Sequence, residues 1–238
     1  MQTKTIAITF IAFLLSLTLA HSPATAEESG QATRLEDMTV VATPIIEGNQ
    51  VDRFAGQKTT VTESQINDLN AQDLGTALRR TPGVNISRYN PVGSFGGATG
   101  GAVFIRGFGS SRPGAEIKTL VDGVPMYMRV WNHPLLDLMT IDPAHTIEVY
   151  KSPQPHVFGN AYGVINIVPK RKTTDGFLTK GEAAGGSYST VVGTAEHGGK
   201  QDRFDYYLGG GYRSSDGHRD NADGELKNLY VRAGYRLT

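Results

Sequence analysis

The stretch Asp73-Leu74-Gly75-Thr76-Ala77-Leu78-Arg79-Arg80-Thr81-Pro82-Gly83-Val84 decides the fold. Its first half carries apolar residues at helical spacing, and it continues a pattern that begins upstream at the capping box Thr62-x-x-Gln65. Pro82-Gly83 ends the helical pattern, because proline and glycine both stop helices. A brief strand over residues 84–86 follows. The sequence therefore predicts helical structure that leads directly into a strand.

Short strands and turns continue downstream of this stretch. A glycine-rich loop spans residues 87–101, and Asp122-Gly123 is a typical turn sequence between strands. The other β-prone segments are residues 103–107, 117–121, 146–150 and 163–168. Together these segments predict a small domain of about 120 residues that mixes helices and strands and has long glycine-rich loops.

Composition excludes several classes of function. The 238 residues carry 23 basic and 23 acidic side chains, so no excess positive charge favours nucleic acid, and we expect no such partner. The absence of cysteine excludes disulfides and thiolate sites. No apolar run reaches the ~18 residues of a membrane-spanning helix. Motifs such as Gly-x-Ser-x-Gly and His-Glu-x-x-His are missing, so we expect neither an enzyme nor a cofactor.

The N-terminus has the pattern of an export signal. One positive charge, at Lys4, precedes a 15-residue apolar stretch over residues 6–20. Small residues then place an Ala-x-Ala site before Glu27, so residues 1–26 are predicted to be a cleaved signal peptide. The alternative is an uncleaved amphipathic or buried helix. Residues 27–48 are predicted to be a flexible segment, with a β-prone island at 37–43 that another sheet would have to complete.

The last part of the chain alternates between apolar and polar residues. Residues 204–212 and 228–237 place apolar or aromatic side chains on one face and polar residues or glycine on the other. Polar turns are predicted at residues 198–200 and 214–224. This is the pattern of outer-membrane β-barrel strands, which have lipid outside and water inside. A soluble, half-buried sheet has the same alternation and is the alternative.

Five motifs, in order, resemble the plug domain of TonB-dependent outer-membrane receptors. The first is the stretch from Asp73 to Val84 that opens this section. The others are Ile105-Arg106-Gly107-Phe108-Gly109, Leu120-Val121-Asp122-Gly123-Val124-Pro125, Ile147-Glu148-Val149-Tyr150-Lys151-Ser152-Pro153 and Phe158-Gly159-Asn160-Ala161-Tyr162-Gly163-Val164-Ile165-Asn166-Ile167-Val168. The resemblance implies an α+β plug domain at residues 49–172. It also implies that residues 173–238 are the first few antiparallel strands of a transmembrane β-barrel, 22-stranded in the family, which is incomplete here.

The β-prone island resembles the TonB box of these receptors, the segment that binds the periplasmic protein TonB. It consists of Asp37, Met38, Thr39, Val40, Val41, Ala42 and Thr43. An extended segment can add a strand to an exposed sheet edge, and such a pairing transmits a pull. The resemblance implies that this pull rearranges the plug. The alternative is a linker that contains Val-Val by chance.

The length of the chain sets a further expectation. The 62 residues after Gly176 suffice for about four strands, whereas a 22-stranded barrel needs ~220 residues in strands alone. Four strands cannot close, and open edges in lipid leave backbone groups unpaired. We therefore expect a fragment or truncated product of an outer-membrane protein. If the chain ends at Thr238, the alternatives are a soluble periplasmic plug module that binds TonB or ligand without transporting, or a product without function.

Three arginines are candidates for contacts between the plug and the barrel: Arg79, Arg80 and Arg106. Ion pairs to carboxylates of the barrel wall would hold a plug in a polar lumen and still let it move. The alternative is that these side chains are solvated surface arginines.

In plugs that resemble this one, two loops face the substrate. The candidate substrate-facing residues in those loops are Arg88, Tyr89, Phe95, Tyr127, Arg129 and Trp131. Aromatic rings with arginine suit a planar anionic chelate such as a ferric siderophore, the expected substrate. Met126, Met128 and His133 could instead be soft metal ligands, which would favour copper or another metal. Plain packing of the loops is the third alternative.

Overall fold

Two β-sheets dominate the part of the chain that the computed structural model describes. The described residues are 49–51, 56–88, 90, 92, 102–109, 117–128 and 133–237. The predicted signal peptide (1–26), flexible segment (27–48) and TonB box (37–43) lie outside them, as do Tyr89, Phe95, Arg129 and Trp131.

The first sheet has six strands in the order β1-β2-β9-β10-β5-β6. Its neighbouring strands are antiparallel except β10 and β5, which are parallel. Two short hairpins, β3–β4 and β7–β8, accompany it. The strands are β1 (Asn49–Val51), β2 (Gln57–Thr62), β3 (Val84–Ser87), β4 (Ala102–Ile105), β5 (Ile117–Val121), β6 (Val124–Pro125), β7 (Tyr127–Met128), β8 (His133–Pro134), β9 (Ala144–Tyr150) and β10 (Gly163–Pro169).

The predicted helical stretch is two helices, α1 (Glu63–Asp68) and α2 (Leu74–Leu78). The capping box at the start of α1 is confirmed, since the Thr62 hydroxyl accepts from the Gln65 amide and the Gln65 side chain accepts from the Thr62 amide. The chain turns at Asn70, which has a φ of 47°, and Asp73 then caps α2 by accepting from the Thr76 amide. A helix α3 (Pro155–Phe158) and a 3-10 helix (Leu136–Leu138) complete these elements.

One hydrophobic core joins α2 to the first sheet and the β3–β4 hairpin. Leu74 and Leu78 on α2 pack with Ile105, Ile147 and Ile165, and all five side chains are at most 1% exposed. Gly109, which has a φ of 117°, allows close packing here, since a Cβ would lie 2.2 Å from the carbonyl oxygen of Val103. We refer to β1–β10 with these helices as the α+β domain.

The second sheet has four long antiparallel strands in chain order, β11-β12-β13-β14. They are β11 (Gly176–Gly186), β12 (Thr190–Gln201), β13 (Phe204–Ser215) and β14 (Gly224–Tyr235). The long predicted turn at 214–224 is present as the connection from β13 to β14. We refer to β11–β14 as the four-stranded sheet.

The predicted turn at residues 198–200 is wrong. Gly198, Gly199 and Lys200 continue β12, and the chain turns at Asp202, which has a φ of 52°. A Cβ at Gly199 would lie 2.5 Å from Cε1 of Tyr206, so the glycine makes room for an aromatic ring on the neighbouring strand. Gly198-Gly199 therefore resembles a turn in sequence, but it lies within a strand, where Gly199 makes room for a neighbouring ring.

The faces of the four-stranded sheet are inverted relative to a water-soluble sheet. On β13 and β14, apolar Leu229 and Val231 are 73% and 64% exposed, whereas Asp205 and Arg213 are only 4% and 5% exposed. The polar face covers the α+β domain and the apolar face points away from it. This confirms the predicted alternation and is typical of strands with lipid on one side and a polar interior on the other. No helix among the described residues is long and apolar enough to cross a membrane.

Candidate functional site

The α+β domain and the four-stranded sheet meet through a buried ion pair between Arg213 and Asp142. Arg213 lies on β13, and Asp142 lies in the turn before β9. Nη1 and Nη2 of Arg213 donate hydrogen bonds of 2.7 and 2.5 Å to the two carboxylate oxygens. The two side chains are 6% and 9% exposed. A bidentate contact between guanidinium and carboxylate fixes both position and orientation.

Further polar groups complete this contact. Asn228 on β14 donates from Nδ2 to Asp142 at 2.6 Å, and Nε of Arg213 donates to Gln72 at 3.1 Å. Gly211 leaves the space that the carboxylate occupies, since a Cβ there would overlap Oδ2 of Asp142. We refer to this cluster as the Arg213 contact.

A second polar cluster surrounds Lys170, the residue after β10. Its Nζ lies 2.9 Å from Glu63, the first residue of α1, and 2.6 Å from Glu196 on β12. Tyr207 on β13 donates its hydroxyl to the same Glu196 at 2.7 Å. Lys170 therefore joins the first helix of the α+β domain to two strands of the four-stranded sheet. We refer to this cluster as the Lys170 contact.

Two more ion pairs lie on the same interface. Arg171 makes a bidentate contact of 2.7 and 2.6 Å with Asp205 on β13. Arg232 on β14 lies 3.1 Å from Asp122, in the turn between β5 and β6. Arg171 and Asp122 are each 45% exposed, so these two pairs contribute less than the buried pair of Arg213 and Asp142, in which a lone charge would cost about 3–5 kcal/mol. Such an interface holds the domain in one position, and water or another charge can replace each contact when the domain moves.

The predicted contact residues Arg79, Arg80 and Arg106 are exposed. Arg106 lies close enough to Lys151 to affect it: burial, and then the charge of Arg106, lower the pKa of the Lys151 amine. The interface described above uses other residues: Arg213 and Arg232 of the four-stranded sheet pair with carboxylates of the α+β domain. In the other two contacts the sheet supplies the carboxylates, Glu196 and Asp205. Contacts of Arg79, Arg80 and Arg106 with barrel carboxylates stay a prediction.

The predicted substrate-facing residues fall partly within the described chain. Arg88 forms an ion pair with Asp73, the cap of α2, and Tyr127 is half-buried. Met126 packs against the hydrophobic core. The β7–β8 hairpin places the backbones of Met128 and His133 directly opposite each other. Among the described residues, no three His, Cys, Asp or Glu side chains are grouped closely enough to hold a metal ion.

The comparison with known families agrees with this architecture. Residues 50–164 match the TonB-dependent Receptor Plug Domain. The α+β domain is a TonB-dependent receptor plug domain. The four-stranded sheet that follows the plug domain resembles the start of a TonB-dependent barrel, because the matched structures below cover far more of the chain than the plug domain alone.

The relatives and solved structures that this chain resembles are transport receptors. The vitamin B12 transporter BtuB of Vibrio vulnificus (strain CMCP6) is 26% identical over 174 residues, which are 71% of this chain and 25% of that protein. The ferric-catecholate import receptor Fiu from E. coli K12 aligns with a TM-score of 0.58 at 20% identity, over 79% of this chain and 25% of Fiu. The copper transporter OprC aligns with a TM-score of 0.57 at 18% identity, over 83% of this chain and 30% of OprC. The chain spans about a quarter of the length of the curated relative.

Sequence reasoning missed Asp142 and Arg213, which are 71 positions apart. A weak signal was present: Asn228 occupies a polar-face position of a predicted strand, and Arg213 directly follows the predicted strand 204–212 in the same alternation. A large polar side chain on that face must find a partner inside. Asp122 was assigned only to a turn, and its side chain also pairs with Arg232.

Proposed function

We infer that this chain is the plug region and first strands of a TonB-dependent outer-membrane receptor that imports a scarce metal chelate. The observation that carries this inference is the pair of faces on the four-stranded sheet. The polar face covers the plug domain through the Arg213 and Lys170 contacts, and the apolar face is exposed in the way that lipid requires. A plug held by ion pairs inside a barrel is suited to gating, because it closes the lumen and can still be displaced.

The proposed substrate is a ferric siderophore. Arg88, Tyr89 and Phe95 in one loop, with Tyr127, Arg129 and Trp131 in the other, supply cations and aromatic faces. This combination suits a planar anionic chelate through charge and stacking. The relatives named above transport ferric catecholate, vitamin B12 and copper. Uptake measurements must therefore decide which class of substrate this protein imports.

Copper is the second candidate, and one observation favours it. The backbones of Met128 and His133 pair directly across β7 and β8, and thioether and imidazole groups are ligands that copper prefers. The half-buried Met126 packs against the core and contributes less to such a site.

Deletion of the gene in its own organism tests the substrate. The wild-type and deletion strains are grown under iron limitation and offered radioactive iron on hydroxamate, catecholate and mixed-ligand siderophores, then cyanocobalamin and Cu(II). We expect the deletion to lose uptake of one ferric siderophore and to keep the others. Loss of copper or cobalamin uptake alone would replace the siderophore in the proposal, and unchanged uptake of all of them would contradict the import function.

The partner TonB is tested at the predicted TonB box. Val40→Pro removes a backbone donor from the segment that would pair with TonB, so uptake should fall to the level of the deletion while substrate binding to cells persists. Ala32→Pro in the preceding segment is the matched control and should transport normally. Normal uptake with Val40→Pro would place the coupling segment elsewhere.

A further inference from the structure

A row of aromatic rings crosses the apolar face of the four-stranded sheet near one end. Phe177 on β11 stacks on His197 of β12 with 6.2 Å between the ring centres, and the ring of His197 lies 5.6 Å from that of Tyr206 on β13. The ring of Phe204 lies 6.0 Å from that of Tyr206, and Phe204 pairs directly with Tyr235 on β14. We refer to these five residues as the aromatic row.

His197 is the polar member of the aromatic row, and both of its ring nitrogens are bonded. Nδ1 lies 2.8 Å from Oγ1 of Thr179, and Nε2 lies 2.8 Å from the hydroxyl of Tyr206. The row therefore exposes no unpaired imidazole nitrogen on the apolar face. Rings of this kind, with an apolar body and a satisfied polar edge, suit the boundary between acyl chains and lipid headgroups.

The end of the sheet that carries the aromatic row has the shortest connection between strands. Asp202 and Arg203 alone join β12 to β13 there, whereas residues 187–189 and 216–223 connect the strands at the opposite end. Outer-membrane barrels have short turns on the periplasmic side and longer loops on the outer side. In the receptor proposed above, the aromatic row therefore lies in the periplasmic leaflet of the outer membrane.

Two exposed arginines lie next to the aromatic row. The amide of Arg236 donates to the carbonyl oxygen of Arg203 at 2.8 Å, so the two backbones are adjacent. In the part of the chain that the structure describes, no carboxylate forms an ion pair with either guanidinium. Asp202 belongs to the same turn, and the three side chains together carry a net charge of +1.

The other charges at this end do not offset the two arginines. Arg171 is paired with Asp205, and Lys200 is paired with Asp175. Lys172 donates to a threonine hydroxyl and adds one further positive charge. This end of the sheet is therefore positive where the aromatic row meets the exposed arginines.

The distance along β14 places the arginines at the level of lipid headgroups. Lys227 is an exposed charge on the same strand, nine positions before Arg236. The alternate positions between them carry exposed apolar or aromatic side chains, Leu229, Val231, Ala233 and Tyr235. Nine positions span about 30 Å along a strand, or ~23 Å across a membrane at a tilt of ~40°. The apolar band of such barrels is ~25 Å tall, so charges at Lys227 and Arg236 lie at its two borders.

We propose that Arg203 and Arg236 bind the phosphate of an anionic phospholipid whose acyl chains lie against Phe204 and Tyr235. Guanidinium groups donate paired hydrogen bonds to phosphate oxygens. A phosphodiester has one negative charge, which matches the net charge of Asp202, Arg203 and Arg236. Phosphatidylglycerol fits because its headgroup has no amine, whereas phosphatidylethanolamine brings a positive charge of its own. The proposal rests on the outer-membrane function proposed above.

Competition between lipids tests this site. The protein encoded by the complete gene is purified in detergent and loaded with phosphatidylglycerol that carries a fluorescent acyl chain. Phosphatidylglycerol, phosphatidylethanolamine and phosphatidylcholine with identical acyl chains are then added as competitors. We expect phosphatidylglycerol to displace the label at a concentration ~10-fold lower than the other two lipids. Equal displacement by all three lipids would overturn the assignment to an anionic headgroup.

Substitutions locate the site on the sheet. The double variant Arg203→Gln/Arg236→Gln should lose the preference for phosphatidylglycerol, and Arg203→Lys/Arg236→Lys should retain part of it because both charges remain. Arg219→Gln is the matched control, since Arg219 is an exposed arginine in the connection at the opposite end of the sheet, and it should bind like the wild type. An unchanged preference in the double glutamine variant would overturn the site.

Two measurements on the unsubstituted protein keep the test decisive if the variants fail to fold. The preference for phosphatidylglycerol should disappear in about 1 M sodium chloride, because salt screens exposed charges. Its persistence would overturn a contact made by exposed arginines. Inorganic phosphate at the concentration of the competing lipid should displace nothing, and displacement by phosphate alone would show a site for the free anion instead of a lipid.

The outcomes separate this site from the function on which it rests. If the complete protein is not recovered in the outer membrane, the receptor function fails and the lipid site fails with it. If the protein is in the outer membrane and imports a chelate but binds the three lipids equally, the receptor function stands and only the lipid site is overturned.

Discussion

Arg213 and Asp142 are joined by two hydrogen bonds across the boundary between β13 and the plug domain. Both side chains are almost fully buried, so neither charge can be left alone at low cost. The pair therefore sets where the turn before β9 sits against the four-stranded sheet. It also makes the position of the plug domain depend on a few polar atoms rather than on apolar packing.

Removing one partner of this pair should loosen the plug domain locally. Asp142→Asn leaves the Arg213 charge buried with a weaker acceptor, which should cost about 3 kcal/mol or more. Hydrogen exchange of amides near residue 142 should speed up ~100-fold. Glu225→Gln, in the exposed pair with Lys227, is the control and should leave exchange unchanged. Equal exchange in wild type and Asp142→Asn would show that the pair does not hold this turn.

A methyl group at Gly211 should have the same effect as loss of the carboxylate. In Gly211→Ala, the Cβ overlaps Oδ2 of Asp142 and forces that side chain away from Arg213. Gly193→Ala is the matched control, because a Cβ at this strand glycine meets no atom within 4 Å. We expect trypsin to cleave the plug domain faster in Gly211→Ala only. If trypsin cleaved both variants equally fast, the effect would come from adding a methyl group to a strand and not from displacing Asp142.

The cap of α2 should contribute measurably to the stability of the plug domain. Asp73→Ala removes the acceptor for the Thr76 amide, which should lower the free energy of unfolding by about 1 kcal/mol. Asp68→Ala, at the end of α1, removes a carboxylate of the same size that caps nothing. Urea unfolding monitored by circular dichroism compares the two. An equal effect of both changes would mean that α2 does not need its cap.

The cluster of Lys58, Glu148 and Tyr150 should lose stability at alkaline pH. Partial burial lowers the pKa of Lys58, but the hydrogen bond and charge of Glu148 outweigh burial, and the net pKa lies above the usual 10.5. Burial, and then the charge of Glu148, also raise the pKa of Tyr150. A group whose pKa is higher in the folded chain than in the unfolded chain holds its proton more tightly when folded. Its contribution to the free energy of unfolding is complete below about pH 10 and is lost as the pH rises through the folded-state pKa.

This dependence can be measured by unfolding the protein between pH 8 and 12. The free energy of unfolding of the wild type should fall as the pH approaches 12. In Lys58→Met the fall should be smaller, because the contribution of the lysine is absent. Lys172→Met, which removes a partly exposed lysine bonded to Thr174, is the control and should follow the wild-type curve. A fall that is identical in Lys58→Met would assign the alkaline loss to other groups.

The local elements and the faces of the strands could be predicted because they depend on neighbouring residues. The Thr62–Gln65 capping box acts over three positions, and the alternation at residues 228–237 follows from the pleat of a strand. Gly198-Gly199 misled the prediction because a glycine that makes room for a ring has the same local signature as a turn. The ring belongs to Tyr206, and only the strand pairing brings it over Gly199.

The interface could not be predicted because it depends on how two sheets are placed in space. Asn228 and Asp142 are 86 positions apart, and no spacing rule connects them. The resemblance to receptors indicated that charged contacts should exist and indicated Arg79, Arg80 and Arg106 as their source. Those three contacts stay a prediction, and one contact found in the described chain uses Asp142, because the turn before β9 faces β13.

The inverted faces of β11–β14 have a consequence for biogenesis. Phe177, Leu229 and Val231 are exposed on one side of a sheet whose other side needs the plug domain. In aqueous solution, strands of this kind would aggregate with other chains through their apolar face and through unpaired backbone groups at their edges. If the chain is exported to the outer membrane as proposed above, a holdase would have to cover these strands until they insert in the bilayer, and the polar face would have to meet the plug domain at the same stage.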